Sequence, residues 1–224
     1  MVAILEIIRR LEGSLSIGKG EFIAYDVARE TGDPFKILVA TILSQNTSEA
    51  NAYRAYDELK SRIGLEVHSI YRASLSELEE SIRKAGLWKS KARAIKELAN
   101  LIIERFNGEP NGLLKLTVDE LRDMLLSIPG IGVKTIDVLL VNMGYGVIPL
   151  DTHILRVSRR LGLTEARRYD DVQRDLHKLI PPKLRLKAHL LLIKLGRTYC
   201  KARKPLCSVC VLNDICPKIG VEKE

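Results

Sequence analysis

The chain has 224 residues, 46% hydrophobic and 29% charged, a balance that excludes a disordered or low-complexity protein and leaves room for one large or two small packed domains. Its net charge of +8 and pI near 9.3 favour a polyanionic partner without naming one. No apolar run approaches the about 18 residues of a membrane span, and Glu6, Arg9, Arg10 and Glu12 interrupt the stretch a secretory signal would need, so the expectation is an intracellular protein with no membrane partner.

Residues 1–12 carry Ile4, Leu5, Ile7, Ile8 and Leu11 on one helical face, with Gly13 as the expected stop. The region 14–32 is ambiguous, although Phe22 to Glu30 could form a helix. Asp33-Pro34 is a strong start, because the carboxylate caps free N–H groups and proline suits the first turn. The FKILVATILS that follows is apolar nearly all round and reads as a buried core helix. A helix from Thr47 to Gly64 comes next. Ser74 and Glu77 form a capping-box pattern opening LEESIRK, which Gly86 ends. Ser90 opens a helix closed by Asn107-Gly108, and Thr117 with Glu120 gives a second capping box.

The segment from Leu126 to Arg160 then reads as the end of one helix, a tight Pro129-Gly130-Ile131-Gly132 turn, a helix from near Val133, and another from Asp151. Proline stops the first helix, and the glycines permit positive φ and leave their N–H groups uncovered. Donors just before a helix N-terminus make an anion site, although a short glycine turn alone is equally a plain helix connection. Lys134 lies in the first turn after it. Helices at Asp170–Ile180, ended by Pro181-Pro182, and Lys183–Leu195, ended by Gly196, complete about eleven. No β alternation is evident, so the fold class is all-α.

All four cysteines fall late, as Cys200, Cys207, Cys210 and Cys216, spaced C-x6-C-x2-C-x5-C. Four thiolates so close together suit an iron–sulfur cluster or zinc better than a disulfide scaffold, which would spread them through the chain. Only Cys207 and Cys210 have the C-x2-C gap typical of zinc knuckles.

IPGIGVKT (Ile128–Thr135), LDTHILRV (Leu150–Val157), DPFKILVATILSQNT (Asp33–Thr47), AGLWKSKA (Ala85–Ala92) and the four cysteines together resemble the endonuclease III family of helix-hairpin-helix DNA glycosylases. The resemblance implies two helical lobes. One is a six-helix barrel lobe at 28–147 with the hairpin, and the other joins 1–27 to 148–224 and carries the loop at 200–216. It implies a [4Fe–4S] cluster on the four cysteines, whose loop would then present Lys201, Arg203 and Lys204 to phosphates, against the plainer reading of three solvated surface charges. It further implies a monomer acting in the cytoplasm or nucleoid on double-stranded DNA with damaged bases or abasic sites. Lys134 is then the nucleophile that displaces the base, forms a Schiff base and permits β-elimination. A helix N-terminus and partial burial would both favour its neutral form. Asp151 is the carboxylate that stabilises the developing positive charge, besides capping its helix. His153 of the same string reads as a packed structural histidine.

Pro129, Gly130, Ile131, Gly132 and Thr135 match the hairpin's phosphate contacts. Gln45 and Leu87 match the pair that fills the gap left by an extruded base, against the plainer readings of a helix-end polar residue and a core leucine. Lys91, with Lys89 and Arg93, would then hold the nearby backbone. Ser44, Asn46 and Glu49 depart from the family pattern and leave the base preference open. The first reading is an enzyme for oxidised pyrimidines of the thymine glycol type. The alternatives are a same-fold glycosylase for uracil, mismatched thymine or alkylated bases, and a non-catalytic hairpin DNA-binding module, which would need neither Lys134 nor Asp151.

Overall fold

The structure, a computed structural model, describes residues 4–221. Among these it has twelve α-helices and no strand, the all-α class expected. The chain divides into two compact units, one from Lys19 to Met143 and one formed by the segments up to Gly18 and from Gly144 onward. Helix α1 (Ile4–Ser14) opens the discontinuous unit. The continuous unit holds α2 (Ile23–Thr31), α3 (Pro34–Ser44), α4 (Glu49–Arg62), α5 (Val67–Arg72), α6 (Leu75–Ser81), α7 (Trp88–Phe106), α8 (Val118–Leu126) and α9 (Val133–Asn142). Helices α10 (Thr152–Arg160), α11 (Tyr169–Leu179) and α12 (Arg185–Thr198) complete the discontinuous one.

The continuous unit is built around α3. Asp33 caps it, accepting from the N–H groups of Phe35 (2.8 Å) and Lys36 (3.2 Å), with Pro34 at the first position. From Pro34 to Leu43 only Lys36 escapes burial, because α2, α4, α7 and α9 all pack against this helix. Each large aliphatic side chain so enclosed contributes about 1.5–3 kcal/mol. Both expected capping boxes form, at Ser74–Glu77 and Thr117–Glu120. The short α5 has no side-chain cap at its start and gives no signal in the sequence. It is held from outside: Lys96 of α7 donates to the carbonyls of Ile70, Tyr71 and Ala73 at its C-terminal end, where carbonyls lack intrahelical partners and a cation is favoured.

In the discontinuous unit α12 packs against α1 and α10, burying Ile7, Leu11, Ile154, Val157, Leu192 and Leu195. Two glycines expected to stop helices do not. Gly13 lies inside α1, which continues until Leu15 N–H bonds to Leu11 O at 2.7 Å. Gly196 lies inside α12 because α10 crosses it closely: a Cβ there would stand 2.8 Å from the Cβ of His153. Close packing, not termination, accounts for that glycine. Among the described residues no helix is long and apolar enough to cross a membrane.

Candidate functional site

In the continuous unit α8 and α9 form the two arms of the hairpin. Arg122 of α8 pairs with Asp137 of α9 at 2.5 Å, and Asp137 is fully buried. A buried charge is tolerated only when paired, so this bridge fixes how the arms cross. Between them Ile128 and Ile131 point into the core, and Ile131 N–H closes the turn on Ile128 O at 3.0 Å. Pro129, Gly130 and Gly132 are exposed. Gly130 has φ +98°, and a Cβ there would also meet Ala94 at 3.2 Å, so only glycine suits the position. Gly132 precedes α9, and the N–H groups of Val133 and Lys134 in its first turn have no intrahelical acceptor. Exposed amides at a positive helix end suit a phosphate oxygen. Lys134 is exposed, so the partial burial expected of it is absent.

Gln45 meets this hairpin directly. Its side-chain nitrogen donates to Gly130 O at 3.1 Å and to Thr135 Oγ1 at 3.0 Å, while Thr135 itself is buried. Leu87 is not a core residue: it is 58% exposed and has the left-handed φ of +49°. It caps α7, which begins two residues before the expected Ser90, and Arg83 lies over the neighbouring Trp88 ring at 5.5 Å.

Lys91 is the clear departure from the sequence reading. Expected to hold a DNA phosphate, it is only 3% exposed. Its Nζ donates to the carbonyls of Leu43 (2.9 Å), Gln45 (2.6 Å) and Ala85 (2.9 Å). An ammonium has three hydrogens, and all are committed to backbone. Burial pushes its pKa down to about 8. Lys89 and Arg93 on the same helix remain exposed.

In the discontinuous unit Asp151 caps α10, its Oδ1 accepting from Ile154 N–H at 2.8 Å. The extended residues before it are pinned by side chains from farther along the chain. His177 accepts from Ile148 N–H (3.1 Å), Gln173 donates to Ile148 O (2.9 Å), His189 meets Pro149 O (2.9 Å) and Tyr169 accepts from Leu150 N–H (3.1 Å). Sequence reasoning missed these four; only His189, a polar residue inside the apolar α12, carried a hint. His153 is a packed histidine as expected. Arg156 can only donate to its Nδ1, at 3.1 Å, which leaves the proton on Nε2. Burial above all lowers its pKa.

Cys200, Cys207, Cys210 and Cys216 are unpaired and line one cavity with Leu161, Leu195, Leu206 and Leu212. Burial, and then the neighbouring cysteines, push the Cys210 and Cys216 thiols up, so thiolates at these two positions call for a positive centre beside them. The four sulfurs line one shared, mainly apolar cavity, a donor set that suits an iron–sulfur cluster. Arg160 donates to Cys200 Sγ at 3.5 Å and to the carbonyls of Lys201 and Ala202, tying the loop to α10. The carbonyl of Cys200 accepts from Arg156 at 2.9 Å. Lys201, Arg203 and Lys204 are exposed.

The family model of HhH-GPD superfamily base excision DNA repair proteins matches residues 39–182, and that of the iron–sulfur binding domain of endonuclease III matches residues 200–216. The endonuclease III of Sulfolobus acidocaldarius is 36% identical over 92% of both chains, and that of Escherichia coli K12 is 31% identical over 82% of this chain and 83% of the other. Among solved structures, a trapped endonuclease III–DNA covalent intermediate (an estranged-adenine complex) superposes with a TM-score of 0.71, at 31% identity and 97% coverage of each chain. A thermostable thymine-DNA glycosylase reaches a TM-score of 0.76 at 22% identity over 96% and 94%, a likeness of fold alone.

An all-α chain with a glycine-turned helical hairpin and a four-cysteine iron–sulfur loop defines a helix-hairpin-helix, iron–sulfur DNA-repair protein. Within that class the chain belongs to the endonuclease III family of the HhH-GPD superfamily. It is a base-excision-repair enzyme, a bifunctional DNA glycosylase and abasic-site lyase with a [4Fe–4S] cluster.

Proposed function

We propose that the enzyme removes oxidised pyrimidines of the thymine glycol type from duplex DNA and cleaves the abasic site through a Schiff base on Lys134. The observation that carries this reading is the placement of Lys134. It stands exposed in the first turn of α9, directly after a turn whose amides suit phosphate. Gripping the DNA backbone there brings the amine to a sugar, and the covering DNA supplies the desolvation that the free protein lacks. The neutral amine attacks C1′ as the glycosidic bond breaks and the base leaves with a proton. Ring opening gives the iminium; loss of a C2′ proton then expels the 3′ phosphate, and water hydrolyses the imine to free the lysine.

Asp151 stabilises the positive charge that grows on the sugar. Gln45 and Leu87 fill the gap left by the extruded nucleotide, Gln45 exchanging its bonds to Gly130 and Thr135 for the orphaned base. The cluster folds the cysteine loop and so supports its exposed Lys201, Arg203 and Lys204 against phosphates. The enzyme works as a monomer.

Borohydride should trap the wild-type chain covalently on thymine glycol DNA, and Lys134→Gln should abolish trapping while retaining much of the binding. Asp151→Asn should slow base release by about 10²-fold. A trapped adduct mapped to another lysine would overturn the assignment, and a lesion panel in which uracil or an alkylated base is preferred would overturn the substrate.

A further inference from the structure

Lys91 has no place in the chemistry above, yet it is one of the most committed side chains of the continuous unit. Its amine is buried and reaches two different turns. On one side it takes the carbonyls of Leu43 and Gln45, at the C-terminal end of α3. On the other it takes Ala85 O, the last residue of the 3₁₀ turn Arg83–Ala85, two residues before Leu87. The carbonyls at a helix end have no intrahelical partner and welcome a cation. Both turns hold a non-glycine residue in the left-handed region, Asn46 at φ +50° beside Gln45, and Leu87 itself at φ +49°. L-residues keep such conformations only where their surroundings hold them. Lys91 also belongs to the turn that Leu87 caps, its N–H bonding to Leu87 O at 3.1 Å.

We propose that Lys91 is a positioning residue that clamps the Gln45 turn to the Leu87 turn, so that the two gap-filling side chains enter the duplex in one fixed register. This rests on the reading of Gln45 and Leu87 as the gap-filling pair. Lys91 touches no substrate; it acts through the two turns. Full extrusion of a paired base needs both side chains placed together, whereas a ready-made abasic site needs less of them. Lys91→Met keeps the length and apolar stem of the side chain and removes all three hydrogen bonds.

The test uses the full-length, cluster-loaded protein under single turnover, below the melting temperature of every variant. It compares a lesion duplex with a ready-made abasic duplex, with 2-aminopurine fluorescence reporting base extrusion. Lys91→Met should slow lesion processing and the fluorescence change by about tenfold or more, with a several-fold smaller loss on the abasic site. Added to Leu87→Ala, it should cost little beyond Leu87→Ala alone, because both changes remove the same wedge. Lys91→Gln, with two donors in place of three, should fall between and serves if Lys91→Met does not fold.

Equal losses on both substrates, or full additivity with Leu87→Ala, would overturn the proposal. If Leu87→Ala and Gln45→Ala discriminate between substrates and Lys91→Met does not, the clamp alone fails. If those two variants do not discriminate either, the gap-filling reading fails and the clamp with it.

Discussion

Two helix starts in the continuous unit carry a lysine after a glycine turn, and they put it to opposite uses. At α9 Lys134 follows the glycines of the hairpin and is exposed to solvent. At α7 the single Gly86 is followed by Leu87, and Lys91, one turn further on, points inward to three carbonyls. The difference lies in position along the helix. A side chain at the second helical position clears the preceding turn, while one four residues past the cap lies over the first turn and against whatever packs there. The exposed lysine is left to solvent, where the proposed function uses its amine. The buried one spends every donor on backbone and serves geometry.

The largest effect that would break this comparison is on stability. Lys91→Met leaves three backbone carbonyls without their donor and should destabilise by about 2–4 kcal/mol, lowering Tm by roughly 5–15 °C in a chain of this size. Lys134→Met should stay within about 0.5 kcal/mol, since nothing in the fold depends on its amine. Calorimetry on both variants decides it. Similar losses would mean that the two lysines are not divided as described.

A pH series sharpens the same contrast. Burial lowers the Lys91 pKa to about 8, below its ordinary 10.5. Between those values the unfolded chain binds a proton that the folded chain does not, so folding stability rises with pH across that window. Below pH 8 the lysine is charged in both states and contributes no slope. The stability of the wild type measured against Lys91→Met should therefore climb from pH 8 to pH 10.5, as read by denaturant midpoints. A flat difference would mean that the three carbonyls hold the proton on the amine throughout.

How far the sequence revealed all this depends on whether the signal was local. The Asp33-Pro34 start, both capping boxes and the Asn107-Gly108 stop are written in adjacent residues, and each formed as expected. So is the hairpin turn, whose proline and two glycines act through their own backbones. What the sequence hid was tertiary. Helix α5 exists because Lys96 caps it from α7, and Gly196 is glycine because His153 crosses it. The approach to Asp151 is fixed by four side chains between 169 and 189, far from it in sequence. Lys91 stands in a run with Lys89 and Arg93, and nothing in KSKAR distinguishes the buried cation from the exposed ones. Only the neighbouring turns do.

The smallest expected effect separates the two turns by their left-handed residues. In the hairpin, Gly130 occupies φ +98° with no side chain to strain, and adding one would also press on Ala94. In the α7 turn a leucine occupies φ +49° with more than half its surface in solvent. Its apolar burial contributes little to folding, while its backbone costs about 1 kcal/mol relative to glycine. Leu87→Gly should therefore raise stability slightly, by about 0.5 kcal/mol after the greater freedom of glycine in the unfolded chain is counted, and Tm by a degree or two. The same change should impair lesion processing, because the wedge is gone. Gly130→Ala should do the reverse to stability, lowering it by about 1 kcal/mol or more. A leucine in a left-handed, exposed position fits the proposed gap-filling role better than a packing role. If Leu87→Gly instead destabilised the protein by an amount typical of a core leucine, the side chain would be packing rather than waiting for DNA, and the functional reading of this turn would fail.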